Sequence, residues 1–215
     1  MTAALLTLAD SRLPAGGHTH SGGIEQAIAA GRVHDPSSLA AFLLRRLQTA
    51  GAVASGIAAA ACGGADLAVL DAECDARTPS PALRAASRQQ GRGLVRVGRR
   101  AWPSPVWDAL PAAPHHPVAL GVAAAAGGLA PRDAAAAAAY LSISGPATAA
   151  QRLLAMDPLT VAAVTARLSP EVDVVAEQST SRATGSPADL PADTDPLLDL
   201  LAEVHTARRD RYFAS

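Results

Sequence analysis

The residues able to do chemistry fall into three groups. The first is Leu13-Pro-Ala-Gly-Gly-His-Thr-His-Ser-Gly-Gly-Ile-Glu25. Its glycines permit close backbone approach or positive φ, and a glycine-rich loop entering a helix can cradle phosphate. No GxGxxG follows a strand and no lysine follows the glycines, so a nucleotide site is poorly supported. The simpler reading is a tight turn into a helix capped by Ser21, with Glu25 a first-turn carboxylate facing the positive end of the helix dipole. The second group is histidine. His18 and His20 form a His-x-His pair, His34 lies nearby, and His115 and His116 are adjacent. Imidazoles suit nickel or zinc, which makes His18 and His20 weak candidate metal ligands. No HExxH, clustered cysteines or EF-hand loop accompanies them. The third group is a run of arginines, Arg84, Arg88, Arg92, Arg96 and Arg99 or Arg100, with no acid between Arg77 and Asp108. Spacing of four makes a ridge on one helix face. It reads either as a solvated face or as a docking stripe for an acidic protein surface, since guanidinium pairs with carboxylate bidentately.

Other chemistries are excluded by composition. All 18 basic residues are arginine, which removes Schiff-base lysines and the P-loop lysine. Neither GxSxG nor a reactive-cysteine context occurs. Cys62 and Cys74 form no CxxC pair, so a reducing cytoplasm is expected. A formal charge of −1 and few aromatic residues argue against nucleic acid. The longest apolar stretch, Pro117 to Pro131, is too short to span a bilayer. The N-terminal stretch lacks a basic region and is broken by Asp10 and Arg12, so a signal peptide is not expected.

Elements that position these groups are legible. Alanine makes up 53 of 215 residues, and it is the best helix former and a poor strand former. Asp35-Pro36, Ser80-Pro81, Asp157-Pro158 and Asp195-Pro196 each set a capping side chain before a first-turn proline. Helices are predicted near 3–9, 22–30, 36–50, 52–62, 65–76, 81–97, 105–110, 116–127, 131–143, 146–155, 158–168 and 196–210. Gly91, Gly93 and Gly98 suggest a fraying end to the sixth. The fold is therefore an all-α single-domain bundle of about ten helices, with alanine tracts allowing close helix approach. Residues 178–194, QSTSRATGSPADLPADT, read as a flexible linker. They divide a helical body, 1–177, from an amphipathic tail, 195–215, with Leu197, Leu200, Leu201, Val204 and Arg208 on one stripe. The tail is expected to dock loosely in the free protein and to become fixed on a partner.

The ordered set of motifs resembles the urease accessory protein UreF family over nearly the whole chain. The motifs are Leu5-Leu6-x-Leu8, Leu13-Pro14-Ala15-Gly16-Gly17, Ser21-Gly22-Gly23-Ile24-Glu25, Ser87 with Gly91, His116-Pro117-Val118 with Gly121, Tyr140-Leu141, and Arg152-Leu153 with Pro158-Leu159. They end with His205 and Arg211-Tyr212-Phe213-Ala214-Ser215. Departures from the family pattern are His18-Thr19-His20 after the glycines, Thr160-Val161 after Pro-Leu, and Thr206 after His205. The resemblance implies an all-α, often dimeric, non-enzymatic protein without cofactors. Such a protein binds the accessory protein UreD (also called UreH) and with it recruits the GTPase UreG, and the assembly delivers nickel to apo-urease. Partner-binding residues are then expected at Ser21, Glu25, His205, Arg208, Arg211, Tyr212 and Phe213, and along Arg84, Arg88, Arg92 and Arg96. The rival readings are a stand-alone helical metal-dependent enzyme using the histidines and Glu25, and a helical DNA-binding regulator using the arginine ridge.

Overall fold

The structure, a computed structural model, describes residues 3–213 except Ser11 and Gly16, and of His18 the backbone only. Its elements are helices α1 (Ala3–Leu8), α2 (Ile24–Ala29), α3 (Pro36–Arg46), α4 (Ala52–Cys62), α5 (Leu67–Ala76), α6 (Pro81–Ala101), α7 (His116–Ala126), α8 (Pro131–Leu153), α9 (Pro158–Arg167), α10 (Ser169–Arg182) and α11 (Pro196–Ala207). No strand forms among the described residues. The four anticipated starts are all capped. The amides of Ser38, Leu83, Thr160 and Leu197 donate to the side chains of Asp35, Ser80, Asp157 and Asp195. Each cap satisfies an amide with no partner inside its own helix.

The body is built around α4, which packs against α7, α8 and α10. Most of α4 is buried, and so is the alanine tract of α8 at Ala134, Ala135, Ala137, Ala138 and Ala139. Small residues set the interaxial spacing: a Cβ on Gly121 would lie 2.4 Å from the Ala58 carbonyl oxygen. One apolar core surrounds α4 and α7 and takes in Leu94 and the fully buried Trp107. A second gathers α3, the C-terminal half of α8, α9, α10 and Leu201 of α11.

Three departures from the sequence expectation have physical causes. The predicted break between 143 and 146 does not occur, and α8 runs through Pro146. Proline has no amide for the carbonyl four residues back. Here the Nε of Arg46, from α3, donates to that Ser142 oxygen at 2.9 Å. Gly145 carries no Cβ for the proline ring to meet. Second, α6 does not fray at its glycines but continues to Ala101. A Cβ at Gly91 would stand 2.0 Å from the Pro114 carbonyl oxygen, one at Gly93 2.2 Å from that of Ala15, and one at Gly98 2.3 Å from the Trp107 ring. These glycines let neighbouring segments lie directly on the helix. Third, α2 starts at Ile24 rather than at a Ser21 cap, because Gly22 and Gly23 both take positive φ.

The segment expected as a linker from 178 begins inside α10, which ends at Arg182. Val172, Val175, Ala176 and Ser179 are its buried stripe at helical spacing. Beyond it, Leu190 and Pro191 are buried. The Arg77 guanidinium donates to the carbonyls of Pro191 and Pro187, both at 3.0 Å, strapping the segment to α5. Helix α11 packs on α2 and α6. Its buried face is Leu198, Leu201, Ala202 and His205, one step round from the predicted stripe. Leu200 and Val204 are consequently exposed.

The contact at Gly91 makes Gly91→Ala informative. At an open helical site this change stabilises by about 1 kcal/mol. Here the methyl has backbone to meet, and overpacking reverses the sign to a loss of about 1–3 kcal/mol. Urea unfolding should show a lower midpoint at an unchanged m-value.

Candidate partner-binding site

Two segments far apart in the sequence, the first turn of α2 and residues 205–213, meet at one carboxylate. Glu25, in the first turn of α2, is 4% exposed. His205, on the inner face of α11, is fully buried, and its Nε2 lies 2.9 Å from Glu25 Oε2. An ionised carboxylate only accepts, so Nε2 carries the proton and donates. The amides of Tyr212 and Phe213 donate to Oε1 and Oε2 at 2.8 and 3.0 Å. Burial opposes ionisation of Glu25, but these amides and His205 outweigh it and hold the carboxyl below its ordinary range. Arg208 Nη1 donates to Gln26 Oε1 at 3.1 Å, and Arg208 also pairs with Asp210 at 3.0 Å. Arg211 Nη1 donates to the Thr206 carbonyl at 3.3 Å. Ser21, Glu25, His205, Arg208, Arg211, Tyr212 and Phe213 therefore belong to one region. Ser21 is fully buried, and its Oγ has no hydrogen-bond partner among the described residues. Tyr212 is 85% exposed although its amide is held.

The arginine ridge divides. Arg84 and Arg88 turn towards α5, a correction to their reading as an open stripe. Arg88 Nη1 donates to Asp71 Oδ2 at 2.9 Å and Nη2 to Asp75 Oδ2 at 2.6 Å, with a further bond to the Ala113 carbonyl. Arg84 donates to the Thr78 carbonyl at 2.8 Å. Arg92, Arg96 and Arg100 are exposed, and Arg99 pairs with Asp108 at 2.7 Å.

Asp71, Asp75 and His115 come close enough to suggest a metal centre. Their contacts form a closed network instead. His115 Nε2 faces Asp75 Oδ1 at 2.9 Å and so carries the proton; Nδ1, 3.0 Å from Ser87 Oγ, accepts the hydroxyl. Ser87 Oγ in turn accepts the His116 amide, and Asp71 Oδ1 accepts the His115 amide. The Arg88 guanidinium bridges both carboxylates, where a cation would sit. Burial raises the Asp75 carboxyl, yet the bonds from His115 and Arg88 keep it low. Burial, the largest influence, pushes the His115 imidazole towards its neutral form. This cluster was not anticipated. Its signal was present as two i,i+4 pairs, Asp71 with Asp75 on α5 and Arg84 with Arg88 on α6.

Of the two histidines proposed as metal ligands, the side chain of His18 lies outside the described residues. His20 is buried and lines, with His116, a cavity of about 450 Å³ between the N-terminal loop, α4, α6 and α8. Burial, and secondarily the nearby His20, lowers His116 to about 4.

The UreF family model matches residues 33–169. The chain is 54% identical to the urease accessory protein UreF of Mycolicibacterium vanbaalenii, over 99% of this chain and 98% of that protein. It is 52% identical to the urease accessory protein UreF of Mycobacterium tuberculosis, with the same coverage. The chain belongs to the UreF family. Its fold agrees with the resemblance drawn from Leu13-Pro14, Ser21-Gly22 and the Arg211-Tyr212-Phe213 terminus. As a UreF family member it is a urease accessory protein, and no helix among its described residues is long and apolar enough to cross a membrane.

Acid should destabilise this protein in two stages. His115 and His116 have folded pKa values below that of the unfolded imidazole, about 6.5. Between those values the unfolded state binds more protons, so stability falls as pH drops below about 6.5. Glu25 is depressed likewise, so its contribution is complete above about 4.3 and is lost as pH falls through its folded value. Urea midpoints measured from pH 8 to 3 should decline in this order. His116→Asn should flatten the upper stage, and Glu25→Gln the lower.

Proposed function

We propose that the protein is a non-catalytic scaffold in urease maturation. It binds a UreD/UreH-like accessory protein and with it recruits a UreG-like GTPase, and the assembly serves nickel insertion into apo-urease. Nickel is cargo in this reading, not a resident cofactor. The observation that carries it is the joining of the glycine-rich entry and the chain terminus through Glu25. Beside that joint Leu200 is 65%, Val204 52% and Tyr212 85% exposed. Three large apolar groups turned outward on one terminal segment suit a partner surface that would bury them.

The exposed remainder of the ridge, Arg92, Arg96 and Arg100, offers a second surface, suited to an acidic partner. The enzyme reading finds less support. The most reactive-looking group of side chains, Ser87, His115, Asp75 and Asp71, is satisfied by its own members and by Arg88. Free Cys62 and Cys74 fit a reducing cytoplasm as the place of work.

Capture assays with purified UreD/UreH-like and UreG-like partners test the scaffold. Leu200→Asp with Val204→Asp should abolish capture of the first partner without lowering the thermal midpoint, since both side chains are exposed. Arg92→Glu with Arg96→Glu should weaken capture, more so at low salt, because screening sets in over about 10 Å at 0.1 M. Unchanged capture by both double variants would refute these two surfaces; no capture by the parent protein, or hydrolysis of urea or GTP by it, would overturn the scaffold.

A further inference from the structure

Among the described residues the Arg46 guanidinium makes one hydrogen bond. Its Nε is committed to the Ser142 carbonyl. No acidic side chain pairs with it among the described residues. Its neighbour Arg45 takes Asp195, at 2.5 Å. The cavity of about 450 Å³ is lined by Arg46 together with Gly22, Ser142, Gly145 and Pro146. Gly22 matters to access: a Cβ there would lie 3.2 Å from the Arg46 guanidinium carbon and Nη2, and its φ of +59° also favours glycine. Glycine at 22 thus lets the main chain lie beside the guanidinium without a side chain pressing on it.

Other charges on this cavity are accounted for. Asp10 is paired with Arg12, and Arg77 with Glu73. Asp199 takes the Ser80 amide, and Asp193 lies in the exposed stretch before α11. Arg152 lines the same cavity from α8 and is exposed. A desolvated guanidinium costs free energy unless an anion meets it. Burial lowers Arg46 to about 10, so it stays charged at neutral pH.

We infer that the Arg46 end of this cavity is an oxyanion site, which takes a carboxylate or phosphate group on the free edge of the guanidinium. Planar, forked N–H donors match both groups. The inference goes beyond the scaffold reading and does not depend on which partners bind.

Titration calorimetry on the full chain tests it, with inorganic phosphate and with acetate as probes and chloride at matched ionic strength as reference. Saturable binding of either probe above the chloride reference is expected. Equal affinity for acetate and phosphate would assign the site to carboxylates, such as an acidic side chain brought by a partner. Preference for phosphate would assign it to a free small anion. Arg46→Met alone orphans the Ser142 carbonyl and could unfold α8. The double variant Arg46→Met with Pro146→Ala restores a helical amide to that carbonyl while removing the charge. Pro146→Ala alone, with the same backbone change and the charge retained, is the reference for the double variant. The double variant should bind roughly ten- to a hundredfold more weakly, the loss of one charge-assisted contact. Equal affinity in both, or no binding above chloride, would overturn the site.

Discussion

A single buried carboxylate holds α2 to the segment 205–213. Glu25 accepts from residues some 180 positions away, two of them through backbone amides. A carboxylate taken out of water is costly unless its lone pairs are met. The converse also holds: with Glu25 in place, the backbone at Tyr212 and Phe213 has a defined place to go. The glycines at 22 and 23 are part of the same arrangement, since their positive φ values turn the chain into α2 and set Glu25 in its first turn. The apolar face of α11 then follows, with Leu201 joining the core around α3, α8 and α9.

Much of the fold was legible in local chemistry. Asp or Ser before proline fixed four helix starts, and alanine content made strands improbable. The α8 continuation was not legible, because whether a helix survives an internal proline depends on a donor from elsewhere, and Arg46 is 96 residues distant from Ser142. The rotation of α11 has a similar origin. Leucines at 197, 198, 200 and 201 allow more than one buried face, and the choice was made by His205 seeking Glu25. Helix α10 was overlooked although Val172, Val175, Ala176 and Ser179 carry its period, because polar residues from 178 onward resembled a linker.

The site was legible in part for the same reason. The family motifs name Glu25, His205, Arg211, Tyr212 and Phe213 separately, and folding brings them into one region. Arg88 shows the opposite case. A charge run read along one helix omits what faces it, and α5 supplies Asp71 and Asp75 to the ridge. Arginine spacing alone could not separate the inward members, Arg84 and Arg88, from the outward ones, Arg92 and Arg96.

The alanine and glycine seam between α4, α7 and α8 has a mechanical consequence. Such side chains have almost no rotamers to lose on folding, and none with which to yield afterwards. With a notional Cβ on Gly121 only 2.4 Å from the Ala58 carbonyl oxygen, and one on Gly51 2.7 Å from Ser142 Oγ, these helices have no slack for sliding past one another. Shear motion is closed to the centre of the molecule. Any rearrangement on meeting a partner must therefore be a hinge at the periphery, where α2, α11 and the strap through Pro191 rest on the rigid body.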